Sequence, residues 1–345
     1  MKHFFSHHLP RCTVAAMLFF SVGAALPQAA KPATAARQTA AAERSVGDWL
    51  MRMHDASRNR AYAGTFVVSS TGGGLSSARI LHVCDGENQI EQVETLTGAP
   101  RSTYRKNDQV MTYLHDSKVA RSETRESLSL FPGLLRAPDS TIGNFYAARL
   151  MPSQRVAGFE ADVVQLEPKD KLRFGYRIWS EKKTGLVVKM QTLGLDGQVL
   201  EQMAFSELQF DAPVKMDKLA RMMDKTQGYR LEKSELQKTT AAAQGWVMGK
   251  PVAGFAPMSC LQRVAKSTAA ANEEKTMQWV FSDGLASVSL FVEAFDARLH
   301  QREGLHTLAA THSLTRRMGD WWLTAVGEVP QQTLQAFAQS LERAK

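Results

Sequence analysis

The chain has 345 residues, 44% of them hydrophobic and 22% charged, with 16 Phe, 6 Trp and 6 Tyr. That excludes a disordered or low-complexity chain, and at roughly 150 residues per domain the length suits about two domains. The formal charge of +8 is spread in both signs, with ten basic and nine acidic residues from Trp246 onward, so no basic stripe is concentrated enough to neutralise nucleic-acid phosphates.

The first 30 residues read as a secretory signal peptide. Lys2, Arg11 and three histidines precede an apolar run from Val14 to Leu26, and alanines at 24, 25, 29, 30, 33, 35 and 36 follow. The run is about 13 residues long, against the roughly 20 that span a bilayer; a retained membrane anchor is the alternative. Cys12 stands before the apolar run, so it is not a lipoprotein acylation site. Cleavage lowers the formal charge from +8 to +6. The mature chain keeps Cys84 and Cys260, and an oxidising compartment permits a bridge that the sequence leaves open.

Residues 31–44 form a flexible leader. Ser45 precedes Asp48 at the spacing of a capping box, and Trp49, Leu50, Met53 and Ala56 then share one helical face that ends near Asn59. From Tyr62 the apolar period changes to two. Strand-like runs cover 62–68, 77–83, 89–96, 102–105 and 109–114, separated by turn signals at Gly72–Gly74, Asp85-Gly86, Gly98-Ala99-Pro100 and Asn107-Asp108. The stretch Leu128–Leu135 is apolar but broken by Pro132-Gly133, so it is a loop that must be buried or must bind something. Further strands are expected at 162–166, 174–180, 185–193 and 199–210. The first domain, 45–210, is thus about nine antiparallel strands with at least one helix across them.

Residues 211–245 turn charged and then Ala/Thr/Gln-rich, the composition of a linker, with a partly helical stretch around Leu219–Met223. A small α+β domain, 246–345, follows, with strands at 277–281, 286–293 and 322–326. A final helix buries Thr333, Leu334, Phe337 and Leu341.

No catalytic constellation stands in the sequence: it has no G-x-S-x-G, H-E-x-x-H, P-loop, dinucleotide fingerprint or C-x-x-C. His300, His306 and His312 are evenly spaced, but six residues apart they share no helical face, and on a strand they stand ~20 Å apart. They read as surface histidines, and no metal or cofactor is expected. Asp162, Glu167 and Asp170 with Lys169 and Arg173 read as a solvated turn with ordinary ion pairs. Trp321-Trp322 puts one ring on each side of a strand, one in the core and one free for contact. Arg316-Arg317 beside it suit an acidic partner or a solvated turn.

Several segments resemble one family when taken together and in order. In the first domain they are Trp49-Leu50 with Met53, Gly98-Ala99-Pro100-Arg101, Arg155-Val156-Ala157-Gly158, Arg173-Phe174-Gly175-Tyr176-Arg177-Ile178-Trp179, Thr184-Gly185-Leu186 and Leu200-Glu201-Gln202. In the second they are Pro251 with Gly254-Phe255, Ser282-Asp283-Gly284-Leu285-Ala286-Ser287-Val288, and Val326-Gly327-Glu328-Val329-Pro330. The pattern resembles the MucB/RseB family, periplasmic negative regulators of the envelope-stress, or extracytoplasmic function, sigma factor of Gram-negative bacteria. The resemblance implies an α+β, mainly β protein. Its N-terminal part is a curved antiparallel sheet closed by helices, a half-barrel similar to periplasmic lipoprotein carriers, and its C-terminal domain is smaller. It also implies a periplasmic location and a non-enzymatic role: binding the periplasmic part of a single-pass anti-sigma factor, shielding it from regulated proteolysis, and release by envelope lipid or lipoprotein signals.

Alternation and loop hydrophobicity nominate Phe66, Val68, Ile80, Tyr113, Phe131, Leu134, Leu135, Tyr176 and Trp179 as ligand-cavity residues, each with a plain core role as the alternative. Arg316, Arg317 and Trp321 are the candidates for partner contact. A lipid or lipoprotein carrier is the competing function, an unrecognised hydrolase a more distant one, and a homo-oligomer stays open.

Overall fold

The computed structural model describes residues 44–124, 141–233, 236–265 and 274–344. Ser45 opens helix α1 (Val46–Arg58): its hydroxyl accepts from the Asp48 N–H at 3.1 Å while its own N–H donates to Asp48 Oδ2 at 3.0 Å, the expected capping box. Val46, Trp49, Leu50, Met53 and Ala56 form the buried stripe, and the helix stops at Asn59.

The chain then runs through β1 (Tyr62–Ser70), β2 (Leu75–Cys84), β3 (Gln89–Thr95), β4 (Arg101–Lys106), β5 (Gln109–Leu114) and β6 (Val119–Thr124). After a 3₁₀ turn at Ile142–Asn144 come β7 (Tyr146–Val156), β8 (Phe159–Pro168), β9 (Gly175–Glu181), β10 (Val187–Leu193) and β11 (Val199–Phe210). Helix α2 (Met216–Met223) and β12 (Arg230–Lys233) follow. These twelve strands make one open, curved sheet in the order β12-β6-β5-β4-β3-β2-β1-β11-β10-β9-β8-β7. Two meanders, β1–β6 and β7–β11, therefore meet at the antiparallel β1–β11 pair in the middle, and β12 is added parallel to β6 at one edge.

Register decides what each face carries, because side chains alternate with period two. Gly64 pairs with Ile80, whereas Thr65 pairs with Arg79, Arg79 with Glu94, Glu94 with Ser102 and Ser102 with Tyr113. Ile80 and Tyr113 thus point to opposite faces. On the Ile80 side lie Tyr62, Phe66, Val68, Met203, Met190, Ile178 and Ser180, connected pair by pair across β1, β11, β10 and β9. Helix α1 sits on that side, its Arg52 guanidinium donating to Ser180 Oγ at 3.4 Å and to the Lys182 carbonyl at 2.6 Å. On the Tyr113 side, α2 closes a second apolar cluster of Val83, Ile90, Tyr104, Tyr113, Ala120, Leu219 and Met223.

The remainder comprises β13 (Leu236–Lys238), β14 (Trp246–Met248), β15 (Ala256–Ala265), β16 (Glu274–Ser282), β17 (Ser287–Ala294), β18 (Gly304–Leu308), β19 (Thr311–Met318), β20 (Trp321–Gly327), helix α3 (Gln331–Ser340) and β21 (Leu341–Arg343). Seven of these strands form a sheet ordered β13-β15-β16-β17-β20-β19-β18, and β14 pairs with β21. Its core joins Val288, Leu290, Val292, Leu323 and Ala325 of the sheet to Leu334, Phe337 and Ala338 of α3.

The architecture is the mainly β one expected, with a large sheet and a smaller C-terminal part. The stretch 211–245, expected as a linker, is largely structured: α2 packs under the first sheet, β12 joins it, and β13 already belongs to the second. Leu219 and Met223, four apart on one helix face, supply the apolar surface that fixes α2. Cys84 and Cys260 are both free, one in each sheet.

Candidate functional site

The connection from β8 to β9 belongs by chain to the large sheet and by packing to the small-sheet part. Leu172 packs against the second core, and Phe174 is 3% exposed with its ring 5.7 Å from that of His312. Between them Arg173 is fully buried. Its Nη1 donates to Asp170 Oδ2 at 2.7 Å, its Nη2 to the Ala253 carbonyl at 2.7 Å, and its Nε stands 2.9 Å from Asp283 Oδ2. The guanidinium lies over the rings of Phe145 and Phe255, 4.5 and 5.1 Å from their centroids. Asp283, in the β16–β17 turn, also accepts from the Leu285 and Ala286 N–H groups at 2.9 and 2.7 Å and from the Tyr146 hydroxyl at 3.1 Å. Burial pushes its carboxyl above the ordinary carboxylate range, against the pull of those N–H groups and of Arg173. Burial likewise holds the Tyr146 and Tyr176 hydroxyls well above the usual phenol range. The solvated turn expected around Arg173 is therefore a buried polar junction between the two sheets.

Beside this junction a groove of about 640 Å³ separates the β1–β2 and β10–β11 turns from the β18–β19 turn, with Thr71, Phe174, Leu195, Leu200, Thr307 and His312 in its walls. Leu195 is 54% exposed, and Leu308, between the lining residues Thr307 and Ala309, is 78% exposed. Among the lining residues Leu195 and Leu200 are apolar, so part of the groove wall can receive an apolar side chain. His312 is 8% exposed, and its Nδ1 donates to the Val329 carbonyl at 2.7 Å.

The cavity candidates do not converge on one space. Phe66, Val68, Ile80 and Tyr176 share the α1 face. Trp179, three residues after Tyr176 in β9, points the other way, where its Nε1 donates to Gln154 Oε1 at 2.9 Å. Tyr113 belongs to the cluster under α2. Ile80, Tyr176 and Trp179 are buried core residues, whereas Phe66 and Val68 are half-buried. Phe131, Leu134 and Leu135, with the whole stretch 128–135, lie outside the described residues.

Of the partner-contact candidates, Trp321 packs edge-on to Trp246 with centroids 5.7 Å apart, and Arg317 covers the Phe295 ring at 3.9 Å; Arg316 is exposed. The three histidines are not all superficial. His306 is exposed, but His312 is buried, and His300 stacks on Trp322 at 4.9 Å and binds Glu293 Oε1 at 3.1 Å. Among the described residues no group of His, Cys, Asp and Glu is arranged to hold a metal ion. The Arg173–Asp283 junction escaped sequence reasoning. Its one signal is a lone arginine between Leu172 and Phe174, a charge embedded in an apolar pair.

Two sheets pinned across a polar junction, with a groove beside it lined from both, define a two-part binding protein. The chain belongs to the MucB/RseB family: the model of the MucB/RseB N-terminal domain matches residues 45–223 and that of the C-terminal domain residues 240–342. Among curated relatives, the sigma factor AlgU regulatory protein MucB of Pseudomonas aeruginosa is 27% identical, covering 85% of this chain and 90% of its own length. The sigma-E factor regulatory protein RseB of Haemophilus influenzae is 22% identical, covering 88% and 92%. Among solved structures, the Pseudomonas aeruginosa MucA/MucB complex aligns with a TM-score of 0.65 at 25% identity, covering 87% of this chain and 99% of that one. A crystal structure of MucB in complex with MucA(peri) gives 0.64 at 24% identity, covering 86% and 98%.

Proposed function

We propose that this chain is a periplasmic regulator. It binds the periplasmic part of a single-pass anti-sigma factor, protects that factor from regulated proteolysis, and is released by envelope lipid or lipoprotein signals. The observation that carries the reading is family membership through both parts of the chain; in this reading a partner segment occupies the groove lined from both sheets. The MucA/MucB complex, a relative seen with its partner, supports the same assignment. The alanine exit after the apolar run at 14–26 supports export, and Arg316, exposed on β19, remains the candidate for an acidic partner. The test is a pull-down with the mature chain from periplasm and solubilised inner membrane. Recovery of a single-pass anti-sigma factor, and its slower regulated cleavage in membranes to which this chain is added, are the expected results; unchanged cleavage overturns the reading.

A carrier of lipid or lipoprotein is the second reading, favoured by the half-buried Phe66, Val68, Val93 and Met203 on the α1 face of the large sheet. Recovery of outer-membrane lipoproteins alone in the same pull-down decides for it.

A further inference from the structure

We infer that the Asp170–Phe174 loop is a releasable latch, which holds the two sheets in one orientation through Arg173 and whose withdrawal remodels the groove beside Phe174 and His312. Its link to partner release rests on the function proposed above; the latch itself does not.

The loop is gripped by the small-sheet part from several directions at once. The carbonyls of Lys171 and Leu172 accept from the Gln332 amide and the Thr333 hydroxyl at the start of α3, the latter at 2.7 Å. Arg173 reaches the Ala253 carbonyl and Asp283, and Phe174 meets His312. The receiving turn is shaped for this guest. Gly254 has φ +81°, and a Cβ there would stand 2.7 Å from Arg173 Nη2 and 2.9 Å from the Phe145 ring, so a side chain would evict the guanidinium.

The chemistry of the grip distinguishes a latch from a permanent weld. An ion pair with 0% exposure on both side chains gains little net stability over apolar groups of similar volume, because both charges are stripped of water. What it gives instead is one permitted geometry, and water regained by both charges when the loop leaves. The fit is also incomplete: Arg173 Nε–H has no hydrogen-bond partner, its approach to Asp283 being an attraction of charges alone. An unmade hydrogen bond in a buried junction narrows the gap between latched and released states. Because Phe174 is both the last residue of the loop and part of the groove's lining, release cannot leave the groove unchanged.

The test is the distance between spin labels on Leu75→Cys and Leu308→Cys, exposed positions on the two sheets, with Cys84 and Cys260 replaced by Ser. The otherwise unaltered protein should give one narrow distance. Arg173→Ala and Asp283→Asn should each add a second, longer distance in more than about one molecule in ten, with the circular dichroism of both sheets unchanged. Asp283→Asn keeps the shape of the turn and removes only the charge, so it reports even if Arg173→Ala does not fold. One narrow distance in Asp283→Asn overturns the latch. The measurement contains no partner, so it stands or falls apart from the pull-down and protection assays.

Discussion

The Tyr113 hydroxyl on β5 donates to the carbonyl of Met223, the last residue of α2, at 2.5 Å across 110 residues of chain. Around it the Tyr229 ring stands edge-on at 5.0 Å, and His115 bridges Ser102 and Tyr229 at 2.9 and 2.7 Å. The contact fastens α2 to the face of the sheet opposite α1. Burial pushes the Tyr113 hydroxyl up to about 12, with nearby Tyr104 and Asp224 adding to the shift. A group whose folded pKa is raised stabilises fully below its unfolded value and loses that contribution as pH climbs to the folded one. Tyr113 therefore contributes below about pH 10, and the contribution, on the order of 2 kcal/mol, is lost between about pH 10 and pH 12. Tyr113→Phe removes only the hydrogen bond and should cost about 1 kcal/mol at pH 8; since phenylalanine does not titrate, denaturant melts should show the gap to the unaltered protein closing and then reversing as pH rises through that window. A gap independent of pH would refute the assignment.

Gly64, in the middle of β1, has no room for a side chain. A Cβ would lie 2.5 Å from the Glu207 carbonyl oxygen and 2.8 Å from the Phe205 ring, beside the irregular register of the β1–β11 pair. The ring can shift but the backbone oxygen cannot, so Gly64→Ala should destabilise by about 1–3 kcal/mol. Thermal melts check this, with Gly72→Ala, where nothing lies within 4 Å, as the neutral control.

What the sequence made legible follows from how local each signal is. The Ser45/Asp48 cap, the α1 stripe and the strands 109–114 and 199–210 rest on spacing within a few residues, and they stand in the structure where the spacing put them. The face assignments were not legible. Tyr176 and Trp179 both read as apolar positions of one strand, but an odd separation sends them to opposite sides, and which side holds a helix depends on partners more than 100 residues away. β6, β7 and β12 passed unnoticed because their sequences are polar: Arg121, Ser122 and Glu123 in β6, and Ser153, Gln154 and Arg155 in β7. Those strands are held by ladder hydrogen bonds at or near a sheet edge, where burial imposes no apolar alternation. The Arg173–Asp283 pair joins positions 110 apart, and no local pattern announces a pairing at that distance.

Trp321 is expected to act through stability and Arg316 through binding. The Trp321 ring lies against Trp246, and the Arg343 guanidinium covers both at 5.2 and 5.0 Å. Trp321→Ala should lower stability by about 2 kcal/mol. Arg316→Glu, at an exposed strand position, should stay within about 0.5 kcal/mol while weakening an acidic partner. Melting curves and partner titrations of both variants separate the two roles; an unchanged melt for Trp321→Ala would return it to the partner surface.

Export predicts a new N-terminus. The alanines that follow the apolar run 14–26 place cleavage between about Ala25 and Ala36. Mass spectrometry of protein recovered from the periplasmic fraction should find it there, and an intact Met1 in that fraction would contradict the reading.

Lipid and the protein partner are expected to oppose one another, and the sheet faces say where to look. Phe66, Val68, Val93 and Met203 are half-buried on the α1 face, whereas the opposite face at Tyr113 is closed by α2. An acyl chain that buries ten methylenes gains roughly 8 kcal/mol before ordering costs, enough for partial insertion to shift an equilibrium between two arrangements of the sheets. Coupling between sites is reciprocal: if lipid weakens partner binding by some factor, partner weakens lipid binding by the same factor. Val68→Asp puts a charge on the apolar patch and should abolish the response to a diacylated or lipid-A-type ligand, while Tyr113→Phe, on the other face, should leave it intact. Calorimetry of partner binding with and without saturating ligand reads both effects. Equal partner affinity in the two conditions, or a Val68→Asp protein that binds ligand as tightly as the unaltered one, would rule the patch out as the lipid site.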